Sequence, residues 1–429
     1  VGWFLILVPT LTAAGVLVGL GPVTGFHLAV TVLFVTASWD WWRFQDRSRT
    51  LHVTMGLFGA FAVAGVVAYA WSRPPLGPAV RELVAVVVLF ALALAFVQLY
   101  RTAETVLTVA RGWLYALVGM IGVAVWEILT GRHLPNYHLP ASAQGSDPGW
   151  ALVAGPFGDP NQFAAALCLA VMVMPIGGAL EHDRRLRRAY PVAVLPVPWV
   201  VWHTGSTLGM VACLAALGLW AVLHRRARIT VLPLGALLLL VLPQGRMFLT
   251  TLWTEVVGIV TTDPEVAGGI RFNLMRDGVV MLRRTLWLGV GPGGFPSVME
   301  TRTLPYPTSG IVTPYSAVVE ITAQYGLSIF VALTLAVLGV ARWCVQRLVA
   351  TRGTPYLGPD RIAATWLLVT LVLWPGMSTM NPTWLAQPLS ALQVATMVML
   401  ARHIERPRGR LVMPSEAALR HIPPGPAVR

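Results

Sequence analysis

One pattern constrains this chain more than any other: apolar runs of roughly bilayer-crossing length recur from one end to the other. They fall at residues 2–20, 24–39, 51–72, 83–99, 112–130, 157–180, 192–204, 207–223, 230–247, 314–345, 363–377 and 383–401. Only 11% of the 429 residues are charged, whereas a soluble domain carries about 25%. That excludes an ordinary soluble enzyme. The 17 Trp, 14 Phe and 9 Tyr exclude a disordered or fibrous chain. The expected architecture is all-α: a polytopic membrane bundle of about twelve transmembrane helices over residues 1–401. A tail rich in Arg and Pro follows at 402–429.

Every one of the 31 basic residues is Arg, and the net charge is +13. In a soluble protein such an excess would point to nucleic acid. Here the positive-inside rule accounts for most of it, so membrane lipids are the expected partners and nucleic acid is not. Arg is dense in segments 40–50, 181–191, 224–229, 346–362 and 402–429. This places both termini on the cytoplasmic side and leaves residues 131–156 and 248–313 as the sizeable outer connections. The first apolar run has no basic leader and another span follows it, so no cleavable signal peptide is expected. Cys168, Cys213 and Cys344 all lie in apolar runs without metal spacing and read as packing residues.

The 248–313 segment carries an amphipathic stretch, with Ile270, Leu274, Met275, Val279 and Leu282 on one helical face. Arg271, Arg276, Arg283 and Arg284 lie around the remainder. Such a helix either rests its Arg side chains on lipid phosphates or forms an outer-face anion clamp. Residues Gly289 to Phe295 match GxGxxG by letter, but no strand precedes them and Pro292 interrupts the motif. A sharp turn that brings the backbone of Gly291 to a ligand or to the membrane surface is the better reading.

Polar residues at span mouths more often face a cavity than lipid. Asp159 and Pro160 read as a helix cap and first-turn residue. That role leaves Asn161 and Gln162 as candidate binding groups. His203 to Thr207 make a polar break between two short spans, either a tight turn or a cavity lining. Tyr315 opens the tenth span, and Glu320 and Gln324 lie inside it. His133 and His138 are further outer-face bases.

The order of these motifs resembles the O-antigen ligase and O-antigen polymerase superfamily of bacterial envelope glycan enzymes. It runs from Gly131-Arg132-His133-Leu134-Pro135, through Gly155-Pro156-Phe157-Gly158-Asp159-Pro160-Asn161-Gln162-Phe163 and Thr204-Gly205-Ser206-Thr207-Leu208-Gly209. Arg271 follows, then Leu288 to Phe295, then Pro314-Tyr315-Ser316 and Gln324-Tyr325-Gly326-Leu327. The resemblance covers roughly 120–345. It implies a metal-independent, inverting glycosyltransferase of the outer face of the cytoplasmic membrane. The donor would be a glycan on undecaprenyl diphosphate, and the acceptor a hydroxyl of a glycan, lipid or protein. No cofactor is implied. Arg271 matches the family's loop arginine. Two positions depart: Thr207 stands where the family commonly has Arg, and Tyr315 where it commonly has the catalytic His. Arg246 or Arg276 then becomes the substitute anion contact, and Tyr315 and His203 the residues beside the reacting groups.

Two other classes compete. A multi-pass transporter or flippase for a lipid-linked or small anionic substrate would show related halves, and no repeat is evident. A metal-dependent polyprenyl-phosphate glycosyltransferase would need acids in an early outer loop, and residues 20–24 contain none. Asp263-Pro264-Glu265 is the one Asp-x-Glu on the outer side.

Overall fold

The computed structural model describes residues 2–13, 19–20, 23–43, 48–100, 102–135, 152–223, 243–263, 265–351 and 358–405. The helices are α1 (Gly2–Ala13), α2 (Gly25–Arg43), α3 (Arg49–Ser72), α4 (Leu76–Leu99), α5 (Ala103–Thr130), α6 (Pro160–Leu180), α7 (Arg184–Val194), α8 (Val197–His203) and α9 (Thr207–Leu223). They continue with α10 (Pro243–Thr261), α11 (Ala267–Arg284), α12 (Gly294–Thr301), α13 (Ala317–Tyr325), α14 (Leu327–Ala350), α15 (Pro359–Ser378) and α16 (Pro388–Glu405). A two-residue antiparallel pairing, Gly19↔Thr24 and Leu20↔Val23, links α1 to α2.

The all-helical expectation holds. Among the described residues six helices are long and apolar enough to cross a membrane: α3, α4, α5, α6, α14 and α15. In lipid every backbone group must be satisfied within the segment, and helices do that. The expected count of about twelve is not reproduced. Apolar stretches in α2 and α9 are shorter, and most of the 230–247 run lies outside the described residues. The 192–204 run is not one helix: Pro196 and Pro198 fall at its break, so α7 ends at Val194 and α8 begins at Val197. The 314–345 run divides at Gly326, whose φ of 88° a residue with a Cβ rarely adopts.

The 248–313 segment also begins differently from expectation. Helix α10 continues unbroken to Thr261, well past residue 247. Its Thr250, Thr251, Thr254 and Thr261 hydroxyls bond back to carbonyls three or four residues earlier. Their polarity is thus absorbed by the helix itself, which hides its continuity in a hydropathy reading. The expected amphipathic helix is present as α11. The tail beyond Glu405 and His138 lie outside the described residues.

The larger of two hydrophobic clusters draws most of its buried side chains from α4, α5, α6, α15 and α16, and a smaller one lies between α11 and α13. Trp113, Phe163, Phe96 and Trp366 are almost fully buried. Polar contacts gather at the two ends of this core. At one end Arg111 makes a bidentate pair with Glu181 at 2.8 and 2.7 Å. At the same end Tyr100 bonds His403 at 3.0 Å, and Glu405 accepts from the Arg49 and Thr50 backbone. At the other end lie the α3–α4 turn, the start of α6, the 285–316 segment and the α15–α16 connection.

Candidate functional site: an arginine, a strained tyrosine and a helix N-terminus

Glu127, near the end of α5, builds the first wall. It is fully buried, and its Oε2 accepts from the backbone N–H of Ala154 at 3.0 Å and of Gly155 at 2.8 Å. His133 lies 3.4 Å from its other oxygen. The anchored chain makes one turn over Gly155–Phe157 and reaches Asp159. Asp159 caps α6, accepting from Asn161 N at 2.7 Å and Gln162 N at 3.1 Å, with Pro160 at the first helical position. Asn161 and Gln162 are half-buried on that first turn. Phe163 N donates to the Asp159 carbonyl at 3.0 Å, so Asp159 itself satisfies the N–H groups of this turn.

Helix α11 supplies the second wall. It packs against α10 through glycines: a Cβ on Gly258 would meet Val266, and one on Gly268 would meet the Glu255 backbone. Its opposite side packs on α13, with Leu274 and Met281 beside Val319 and Ala323. Arg271 sits in this sandwich. Burial pulls its guanidinium below the usual arginine range, while Glu255, then Tyr315 and Asp159, act in the other direction. These groups lie within electrostatic range of Arg271.

Tyr315 comes from the loop before α13. Its φ is 45°, a left-handed backbone that a bulky residue adopts only when its surroundings force it. The forcing contacts are visible. Its N–H donates to Pro382 O at 3.2 Å. Next to it Ser316 caps α13, and Ala317 N donates to Ser378 Oγ at 3.1 Å. The phenol bonds the Thr313 side chain and lies within electrostatic range of Asp159 and Arg271.

Arg271, Tyr315 and the Asp159–Gln162 turn are therefore brought together from three distant parts of the chain. The other expected residues have different surroundings. Arg276 is five positions from Arg271, roughly 140° around the helix. Its guanidinium lies 3.6 Å from the centre of the Tyr306 ring. With Asn273, whose amide donates to Pro307 O at 2.9 Å, it pins the 305–308 segment to α11. Arg246 is exposed in the first turn of α10. His203 borders the same end of the bundle, since Val153 N donates to His203 O at 2.9 Å. Its Nδ1 lies 2.9 Å from Trp199 O, and its ring packs on Trp199. A carbonyl there takes the Nδ1 proton, which leaves Nε2 as the basic nitrogen.

Gly291 is buried under Pro74, and its N–H donates to Gln324 O at 3.0 Å. Glu320 is buried and accepts from Trp384 N at 2.6 Å and Leu385 N at 3.1 Å. Glu82, from α4, accepts from Gly293 N at 2.9 Å, with Tyr325 and Gln324 beside it. These residues dock the glycine turn and the α15–α16 connection onto α13. A helix opens on the last of the GxGxxG letters, α12 at Gly294.

The sequence reading missed Glu127, Glu255 and Glu82, and took Asp159 only as a cap. A signal was present for two of them, because an acid inside an apolar run is costly and calls for a partner. Nothing local marked Glu255, whose importance comes from where α11 turns back.

Together these features define a helical membrane protein in which Arg271, Tyr315 and the start of α6 lie near one another at one end of the bundle. Residues 192–334 match the model of the family described as O-antigen ligase, which supports the O-antigen ligase and polymerase superfamily for this chain. The match takes in His203, Arg271 and Tyr315 and supports a membrane glycan-processing role. No curated protein matched the chain.

Proposed function

We propose that the protein transfers a glycan from an undecaprenyl diphosphate carrier to an acceptor hydroxyl on the outer face of the bacterial cytoplasmic membrane. Product and acceptor would be those of a ligase or a polymerase. The observation that carries this reading is that Arg271, Tyr315 and Asp159 at the start of α6 come within electrostatic range of one another from distant parts of the chain. A diphosphate is already a good leaving group, so the protein's task is to neutralise its charge and align the acceptor. Arg271 suits the first part.

In the proposed reaction the acceptor oxygen attacks the anomeric carbon opposite the diphosphate. The bond from that carbon to the diphosphate oxygen breaks, the oxygen keeps the electron pair, and configuration inverts. The acceptor proton passes to the Asp159 carboxylate, while Tyr315 orients the hydroxyl. A phenol is a poor base near neutrality, which argues against Tyr315 in that role. His203, Asn161 and Gln162 border the acceptor side. Arg246 and Arg276 reach lipid or the outer part of the glycan. The chemistry requires no cofactor and no metal ion.

The direct test is reconstitution. Purified protein given an undecaprenyl-diphosphate glycan should release the carrier diphosphate and glycosylate an acceptor, and should do so in EDTA. Movement of intact donor across vesicles, with no transfer, would favour a flippase instead. Loss of transfer in EDTA and its return with magnesium would favour the metal-dependent class and bring Asp263 and Glu265 forward.

A further inference from the structure

Helix α14 stands away from the bundle: of its 24 residues only Ile329 and Cys344 are buried. Between it and α3, α15 and α16 lies a groove of about 620 Å³. That is the size of a pocket for a sizeable ligand. Its walls are almost wholly apolar. Leu333, Val340, Trp343 and Arg347 follow one face of α14, and Arg49, Val53 and Phe61 follow the facing side of α3. From Leu333 to Arg347 the groove runs about 21 Å at 1.5 Å per residue. That is somewhat more than one leaflet of a hydrocarbon core about 30 Å thick. Trp374 and Trp384 line the far end.

The charges are confined to the other mouth. Arg49 and Arg347 both line it. Glu405 is there too, but its oxygens are occupied by the Arg49 and Thr50 N–H groups and the Thr50 hydroxyl. Its ion pair is with Arg402, at 3.7 Å. Among the described residues no carboxylate pairs with the Arg49 or Arg347 side chain. The groove is thus a greasy channel of leaflet depth with two uncompensated guanidinium groups at one entrance. This mouth lies at the opposite end of the bundle from Arg271, beside the Tyr100–His403 contact.

We propose that this groove is a binding site for one anionic phospholipid of the leaflet at the Arg49 end. Its phosphate sits between Arg49 and Arg347, and an acyl chain lies along α14 toward Trp384. Guanidinium groups suit phosphate, and the leaflet-length channel suits an acyl chain. The lipid fills the space between α14 and the bundle. The site is independent of the proposed transfer reaction.

Gly339 offers a clean probe. It lines the groove, and a Cβ there meets nothing within 4 Å. Gly339→Trp therefore fills the channel from a tolerant helical position. The test is native mass spectrometry of the full chain in detergent with equimolar phosphatidylglycerol and phosphatidylcholine of identical acyl chains. The wild-type chain should hold phosphatidylglycerol in roughly tenfold preference. Arg49→Gln with Arg347→Gln should bring the two lipids to near parity. Gly339→Trp should lose both lipids while keeping its helical circular dichroism. Equal retention of the two lipids by the wild-type chain would mark ordinary annular lipid and overturn the proposal. So would a preference unchanged in the arginine double variant, or retention unchanged by Gly339→Trp, which would leave the groove to a protein segment or a second copy of the chain.

Discussion

Arg271 keeps its charge where burial opposes it, and that sets what its removal should do. Glu255, Tyr315 and Asp159, from three separate elements, favour that charge electrostatically. A charge-assisted bond to a diphosphate is worth roughly 1.5–3 kcal/mol. If that bond strengthens as the leaving group gains charge, Arg271→Ala should slow transfer by roughly ten- to a hundredfold. Arg271→Lys should recover only part, because an ammonium keeps the charge and loses the planar fork. Steady-state rates of purified variants decide it; a helix resting on lipid predicts near-complete rescue by Lys. Asp277, two turns along α11, gives a pH signature. Its carboxyl is buried and pushed up to about 6, with the Tyr306 N–H and the Arg276 and Arg284 charges opposing that rise. The folded protein holds this proton between roughly pH 4 and 6, where the unfolded chain has released it. Stability should therefore fall as pH rises through that window and level off above it. Thermal unfolding in detergent across pH 4–8 measures the slope, and Asp277→Asn should flatten it.

At the scale of elements, the glycine turn after α11 is a docking device. Gly289 (φ 94°), Gly291 (φ 82°) and Gly293 (φ 64°) all occupy the left-handed half of the map. Each also lies against a neighbour. A Cβ on Gly289 would come 2.5 Å from Gln324 O, and one on Gly293 would come 2.6 Å from the Pro78 carbonyl. Both clashes are with backbone and cannot be relieved by rotating a side chain. Gly289→Ala and Gly293→Ala should each cost at least about 2 kcal/mol and lower transfer with it. Gly310 is the control: its φ is 79°, but a Cβ there meets nothing within 4 Å. Gly310→Ala should cost about 1 kcal/mol, the strain alone. Comparable melting temperatures for all three variants would mean that the turn is not packed as described.

For the whole molecule, the arginine asymmetry predicts which end faces outward. The Arg271 end collects the connections expected outside, and the Arg49–Arg347 end collects those expected inside. Glu300 and Arg185 are both exposed, on α12 and in the first turn of α7. In a background lacking the native cysteines, Glu300→Cys should react with an impermeant maleimide in intact cells. Arg185→Cys should react only after permeabilisation. The reverse pattern would turn the bundle over and remove the proposed active site from the outer face.

Repetition of apolar runs was enough to determine a helical membrane bundle, because a bilayer leaves a chain few ways to satisfy its backbone. The motif order carried the family resemblance, and Asp159 followed by Pro160 announced a helix start that α6 confirms. Other features needed three dimensions. Whether an apolar run is one helix or two depends on a single backbone angle, as at Gly326. Arg271 and Arg276 look equivalent along the chain, yet the turn of α11 places one beside Tyr315 and the other on Tyr306. Glu320 reads as a group for substrate and instead accepts backbone N–H groups from a connection about 64 residues away. Local patterns report which solvent each segment prefers. Which buried polar group meets which partner is decided by long-range packing.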